Sequence, residues 1–76
     1  MKDNVGLPDA AKSMLAMVEV CDKSRIILVE NYKNEYVVST QYRHGRDWDS
    51  DWSQGHYFTD LLEARRFFWS YAQKRI

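Results

Sequence analysis

Three aspartates at alternate positions, in Asp47-Trp48-Asp49-Ser50-Asp51, give the segment whose residue types come closest to a chemical site. Carboxylates with this spacing can converge on a hard cation such as calcium. A complete calcium-binding loop also needs Gly at its sixth position and Glu at its twelfth, where this chain has Trp52 and Phe58. We therefore interpret the segment as an acidic, solvated loop without a metal ion.

The other reactive side chains do not form a pattern typical of a zinc site or an enzyme. His44 and His56 lack the closely spaced ligand pairs of structural zinc sites. Cys21 is the single cysteine, and no nucleophile motif surrounds it. The chain has three glycines and no glycine-rich phosphate loop. We predict a protein that is not an enzyme and that uses no metal or cofactor.

Length and composition exclude several classes of protein. The 76 residues are enough for one domain, and 45% hydrophobic and 14% aromatic residues are too many for a disordered chain. The longest apolar run, Met14 to Val18, is far shorter than the roughly 20 residues of a membrane span. The first residues lack the apolar core of a signal peptide, and one cysteine cannot form an intrachain disulfide. These features predict a cytoplasmic protein without membrane contact.

The N-terminal part of the chain has two competing interpretations. We predict a flexible lead-in over 1–8 and a single domain over 9–76. Pro8 suits the first turn of a helix, and the apolar residues that follow have helical spacing, which predicts a helix over 9–16. The alternation in Val18-Glu19-Val20 favours a strand, so residues 17–21 are left open as helix or strand.

Two β-branched runs, over 25–30 and 35–42, predict a β-hairpin. A three-residue loop over 32–34 keeps Glu30 from facing Glu35, and it places Asn34 where a left-handed residue is needed. Both faces of this hairpin carry apolar side chains, so both must be covered. One face has Ile26, Leu28, Tyr36, Val38, Thr40 and Tyr42, and the other has Ile27, Val29 and Val37.

A further strand over 52–58 and a C-terminal helix complete the predicted fold. Gly55 marks a bulge or a close approach, and Thr59 or Asp60 caps a helix that runs to about Lys74. The predicted class is α+β: a three- or four-stranded antiparallel sheet with the C-terminal helix packed on one face. The buried helix stripe is predicted to contain Leu61, Ala64, Phe68, Tyr71 and Ala72, widened by Leu62, Trp69 and Ile76, with Phe67 on the polar side.

The net charge of zero, from 11 basic and 11 acidic residues, is a sum of opposite local charges. Residues 47–60 carry four acidic groups and no basic ones, whereas residues 61–76 carry four basic groups and one acidic group. Exposed aromatic residues beside charged ones are typical of protein interfaces. We predict a protein-interaction module or small regulator that binds a protein partner or self-associates, as a homodimer for example. The predicted contact residues are Arg46, Asp47, Trp48, Asp49, Asp51, Trp52 and Phe67.

The open alternative for Trp48 and Trp52 is that both fold back over the second face of the hairpin. In that case they belong to the core of the domain, since small domains often complete their cores with aromatic residues from loops. An exposed Trp48 and a buried Trp48 have opposite consequences for function and stability.

The strands followed by Phe58-Thr59-Asp60-Leu61-Leu62-Glu63-Ala64-Arg65-Arg66-Phe67 resemble the small sheet-plus-helix DNA-binding domains at the N-termini of tyrosine integrases. The resemblance covers the last two-thirds of the chain. It implies a sheet face that enters the major groove, here with Ser39, Gln41 and Arg43. Nucleic-acid binding is the alternative function, although the acidic loop would repel phosphates. Its predicted contacts are Arg43, Arg46, Arg65 and Arg66.

Overall fold

The computed structural model describes residues 6–75, which form an antiparallel sheet followed by one helix. The strand β1 pairs with β2, β2 pairs with β3, and β3 pairs with both β4 and β5. The predicted α+β class, with an antiparallel sheet and a C-terminal helix, is confirmed. The elements are β1 (Ala11–Cys21), β2 (Ser24–Asn31), β3 (Tyr36–His44), β4 (Asp47–Trp48), β5 (Ser53–Phe58) and α1 (Leu61–Arg75).

The helix predicted over 9–16 is wrong, because residues 11–16 belong to β1 and residues 9 and 10 form a turn before it. The pairing of β1 with β2 shifts register at three places, so that Lys12, Leu15 and Val20 are extra residues in the strand. The shift at Leu15 separates the apolar residues of the strand between the two faces. Met14 consequently packs on one face of the sheet, while Ala16 and Val18 pack on the other. A strand with such bulges imitates the apolar spacing of a helix. Residues 17–21, for which both interpretations were open, are strand.

Residues 6–8, assigned above to the flexible lead-in, lie against the sheet. Pro8 is fully buried, and Leu7 packs on the apolar residues beneath it. The backbone N–H of Asp9 donates to the carbonyl of Ser50 over 2.8 Å, which connects this segment to the loop before β5. The remaining residues of the predicted lead-in, 1–5, lie outside the described part of the chain.

The β2–β3 hairpin has the predicted three-residue loop. Glu30 pairs with Tyr36, so it does not face Glu35 across the ladder. Asn34 has φ 64°, the left-handed conformation that the loop requires. The side-chain carbonyl of Asn31 accepts the backbone N–H of Glu35 over 2.9 Å and holds the loop closed. The hairpin prediction is therefore confirmed in register and in loop geometry.

Both faces of the hairpin are covered, as the apolar pattern requires. We call the cluster under α1 the helix-side core and the cluster on the opposite face the second-face core. The helix-side core contains Ile26, Leu28, Val38, Ala64 and Phe68. The second-face core contains Ala11, Ile27, Val29 and Val37, with Leu7, Met14 and Trp52 packed against it.

The helix α1 is capped as predicted, since the carboxylate of Asp60 accepts the backbone N–H of Leu62 over 3.2 Å. Its buried stripe of Ala64, Phe68 and Ala72 is confirmed.

The flanks of this stripe differ from the prediction. Leu62 and Trp69 are 56% and 58% exposed, so their assignment to the core is wrong. Phe67, assigned to the polar side, is half-buried and packs against the helix-side core. The reason is that His56 and Phe58 of β5 present a ring surface on that flank, which turns the buried stripe toward Phe67. Ile76 lies outside the described residues.

Candidate functional site

The acidic segment, residues 47–51, folds back on the end of β3. We call this turn and its strand β4 the acidic hairpin. In this hairpin His44 pairs with Asp47. Gly45 has φ 66°, which suits a two-residue turn between the strands. The carboxylate of Asp49 lies 3.0 Å from Nε2 of His44, so it is directed at its own hairpin. The segment is thus an ordered extension of the sheet, with Asp47 and Arg46 exposed at its tip.

Two arginines lie close to the ring of Trp48. The guanidinium of Arg25 is 4.0 Å from the ring centroid, and the guanidinium of Arg43 is 4.8 Å from it. The ring also closes over Gly6, where an added Cβ would come within 2.7 Å of Cβ and Cγ of Trp48. Trp48 is half-buried, and it is engaged within its own domain.

A buried polar cluster beneath Trp48 joins three segments of the chain. Nε of Arg25 donates to the side-chain carbonyl of Gln41 over 2.8 Å. The side-chain amide of Gln41 donates to the carbonyls of Gly6, over 2.6 Å, and Asp49, over 2.7 Å. Both side chains are buried. Burial lowers the pKa of the Arg25 guanidinium, an effect that the charge of Glu19 opposes. The cluster connects the N-terminal segment and the acidic hairpin to the sheet.

The other two aromatic residues of the predicted contact set are also part of the domain. Trp52 packs on the second-face core, as the open alternative required. Phe67 lies in a group of rings, with centroids 4.7 Å from His56, 5.3 Å from Phe58 and 5.5 Å from Tyr71. The exposed members of the predicted contact set are Arg46, Asp47 and Asp51.

The sheet face implied by the resemblance to DNA-binding domains is covered. Ser39 and Gln41 are fully buried, and Gln41 bonds to the carbonyls of Gly6 and Asp49 above it. Arg43 stacks on Trp48, and its Nε donates to the carbonyl of Asp22 over 2.9 Å. A side chain in this state cannot read a base edge without leaving its partners. The remaining predicted contacts for nucleic acid, Arg46, Arg65 and Arg66, are exposed.

Two of these arginines lie on the exposed side of α1, together with two large apolar side chains. Leu62, Arg65, Arg66 and Trp69 follow the i, i+3, i+4, i+7 spacing that places side chains on one helix face. We call these four residues the outer helix face. Sequence reasoning missed it because Leu62 and Trp69 have the hydrophobicity of core residues. The available signal was their position beside two adjacent arginines.

Another concave surface lies between the β2–β3 loop and the loop before β5. It is an open cavity of about 270 Å³, lined by Ala10, Asn31, Tyr32, Lys33, Glu35, Trp52 and Tyr57. Within residues 6–75, no three His, Cys, Asp or Glu side chains are grouped so as to hold a metal ion. The same residues contain no helix with the length and hydrophobicity needed to cross a membrane.

Comparison of the chain with protein-family models, curated proteins and solved structures found no match.

Proposed function

We propose that this protein is a non-enzymatic protein-interaction module, and that its main contact surface is the outer helix face. The observation that carries the proposal is the exposure of Trp69 and Leu62 on the same face as Arg65 and Arg66. Trp and Arg are the residue types most enriched among those that dominate binding energy at interfaces. The helix does not need this face for its own packing, because Ala64 and Phe68 supply the buried stripe.

The chemistry of the outer helix face selects an acidic partner with apolar residues. Arg65 and Arg66 are consecutive, exposed residues of the helix between Leu62 and Trp69. Guanidinium groups bind carboxylates through paired hydrogen bonds, and the flanking apolar side chains gain from being removed from water. We propose a partner segment with a carboxylate pair flanked by hydrophobic residues.

The acidic hairpin has a supporting role in this proposal. Its tryptophan is held by Arg25 and Arg43, so Trp48 contributes to stability and not to partner binding. Arg46 and Asp47 at its tip, and Asp51 beyond it, remain available as secondary contacts. We also propose a cytoplasmic location, because Cys21 is an exposed free thiol and such thiols persist in reducing compartments.

The test is a quantitative affinity capture with the full chain as bait and a lysate of the organism that encodes it. We expect a set of proteins that the unaltered chain retains and that Trp69→Ala and Arg65→Glu/Arg66→Glu each lose. Tyr32→Ala is the matched control, because Tyr32 is an exposed aromatic residue on the β2–β3 loop, away from the outer helix face. This control should retain the same proteins as the unaltered chain.

Two outcomes would contradict the proposal. Equal capture by all variants would place the contact surface elsewhere on the molecule. Capture that disappears after nuclease treatment would favour the nucleic-acid alternative, with Arg65 and Arg66 as phosphate contacts and Trp69 as a stacking platform.

A further inference from the structure

We propose that β1 pairs in antiparallel orientation with β1 of a second copy of this chain. The strand is 11 residues long and ends the strand order of the sheet. Within residues 6–75, no strand pairs with its outer edge. Leu15 and Met17 are 41% and 43% exposed along it. A long edge with exposed apolar side chains is a template for pairing with another chain.

The charges of β1 are complementary to the same strand in reverse. Its two charged residues, Lys12 and Glu19, are exposed and lie near opposite ends of the strand. Two copies can pair in antiparallel orientation with Lys12 of each copy opposite Glu19 of the other. The dimer then has two such pairs, because the two-fold symmetry repeats each contact. Opposite charges across a strand pair stabilise it, whereas like charges destabilise it. The charge pattern therefore specifies a second copy in this register as the occupant of the edge.

The bulge at Leu15 makes this register compatible with the two faces of the sheet. In a regular strand, residues an odd number of positions apart point to opposite faces of the sheet. The register that pairs Lys12 with Glu19 brings together only residues separated by an odd number of positions. In a regular strand their side chains would therefore lie on opposite faces. The extra residue corrects the mismatch. Met14 and Met17 both pair with residues of the second-face core, Val29 and Ile27. Met14 of one copy can therefore lie opposite Met17 of the other on the same face.

The same relationship holds on the helix side. Ser13 pairs with Glu30, and Val18 pairs with Ile26. Glu30 and Ile26 are four positions apart on β2, whose register with β3 is regular, so Ser13 and Val18 share the helix side. They become opposite residues in the dimer. Bulges usually protect an edge strand from pairing. The other two bulges of β1, at Lys12 and Val20, lie at or beyond the ends of the paired segment 12–19. The bulge at Leu15 lies at the centre of the symmetric pairing, where it allows the register that the charges select.

The pairing would join two sheets into one and place both helices on the same side. It goes beyond the proposed function, since it uses a different surface and needs no foreign partner. If both hold, a dimer presents two outer helix faces in one direction and can bind a repeated partner with avidity.

Charge reversal on the purified full chain tests the pairing, with sedimentation velocity over a range of concentrations as the measurement. The unaltered chain is expected to form a dimer. Lys12→Glu and Glu19→Lys should each weaken it about tenfold or more, because each creates two like-charged pairs. An equimolar mixture of the two variants should recover the affinity as a heterodimer. The double variant, which exchanges the charges, should recover it as a homodimer.

Circular dichroism and thermal melting at low concentration would establish that each variant is folded. Trp69→Ala is the control for the outer helix face, and it should leave the dimer unchanged.

A strict monomer at all concentrations would overturn the proposal. A dimer that neither single reversal weakens, or that the mixture does not restore, would overturn it as well. A dimer lost only in Trp69→Ala would place self-association on the outer helix face. None of these outcomes depends on the partner sought by affinity capture.

Discussion

The guanidinium of Arg25 lies 4.0 Å from the ring centroid of Trp48, which joins a buried cation of β2 to the aromatic residue of the acidic hairpin. This contact places Trp48 in the fold of the domain. The tryptophan and charges of the acidic hairpin suggested an exposed binding loop, whereas the ring covers a buried arginine and the polar cluster around Gln41.

Trp48→Ala should lower the free energy of unfolding by about 2–4 kcal/mol, because it removes a half-buried ring and the cation–π contacts of two arginines. Chemical denaturation followed by circular dichroism measures the loss. Trp69→Ala is the matched control, since this ring is mostly exposed, and it should cost less than about 1 kcal/mol. Similar small losses in the two variants would show that Trp48 does not stabilise the domain.

Gln41→Met should be more destabilising than its similar shape suggests. The substitution removes the donor that Gln41 supplies to the carbonyl of Asp49, and it leaves the carbonyl of Gly6 with the longer bond from Nη2 of Arg25, at 3.4 Å. It also removes the side-chain carbonyl that accepts from Nε of Arg25. Buried polar groups without partners cost about 1–3 kcal/mol each, so a total loss of about 3 kcal/mol is expected. Hydrogen exchange should show faster opening around Asp9, whose N–H bonds to Ser50 in the adjoining segment. Unchanged exchange there would contradict a connecting role for Gln41.

The elements of the sheet that depend on local pattern were predictable from the sequence. The β2–β3 hairpin followed from two β-branched runs and from the repulsion that Glu30 and Glu35 would have in the wrong register. The strand β1 was not predictable in the same way, because the extra residue at Leu15 breaks its alternation. The pairing that accommodates a bulge is a tertiary property, and the sequence of one strand does not contain it.

The candidate site was likewise predictable only in part from the sequence. Composition indicated that aromatic and charged residues would carry the function, but it could not separate rings needed by the fold from rings left at the surface. Phe67 and Trp69 illustrate this, since they are two positions apart on one helix. Phe67 packs against His56 and Phe58 of β5, whereas Trp69 is left exposed. The placement of β5 decides which ring is buried, and that placement depends on long-range pairing.

Gly6→Ala should be more destabilising than Gly45→Ala, although both glycines have positive φ, at 75° and 66°. A Cβ at Gly45 meets no atom within 4 Å, so the cost there is the backbone strain of about 1 kcal/mol. A Cβ at Gly6 would in addition overlap the Trp48 side chain and displace it from the arginines. Comparison of the two unfolding free energies isolates the steric effect. Equal losses would mean that the Gly6 segment does not pack under Trp48.

Asn34→Ala should lower the free energy of unfolding by about 1 kcal/mol, because alanine is disfavoured at the φ of 64° that the β2–β3 loop requires. Asn34→Gly should be close to neutral, since glycine adopts this conformation without strain. Denaturation of the two variants side by side provides the measurement and its control. A larger loss with glycine than with alanine would show that the asparagine side chain, and not its backbone conformation, stabilises the loop.

Ser24→Ala should raise the pKa of the Cys21 thiol. The hydroxyl of Ser24, 3.3 Å from Sγ, is the main cause that lowers the pKa of Cys21, and a hydrogen bond from the backbone of Lys23 lowers it further. A lowered pKa means more thiolate at a given pH, so the exposed thiol should react with iodoacetamide faster than the same cysteine in the denatured chain. The rate measured from neutral to alkaline pH gives the pKa directly. In Ser24→Ala its midpoint should move upward, toward that of the denatured chain, while Ser13→Ala, on the same strand as Cys21 but distant from the thiol, should leave it unchanged. A midpoint that does not move in Ser24→Ala would show that the hydroxyl does not stabilise the thiolate.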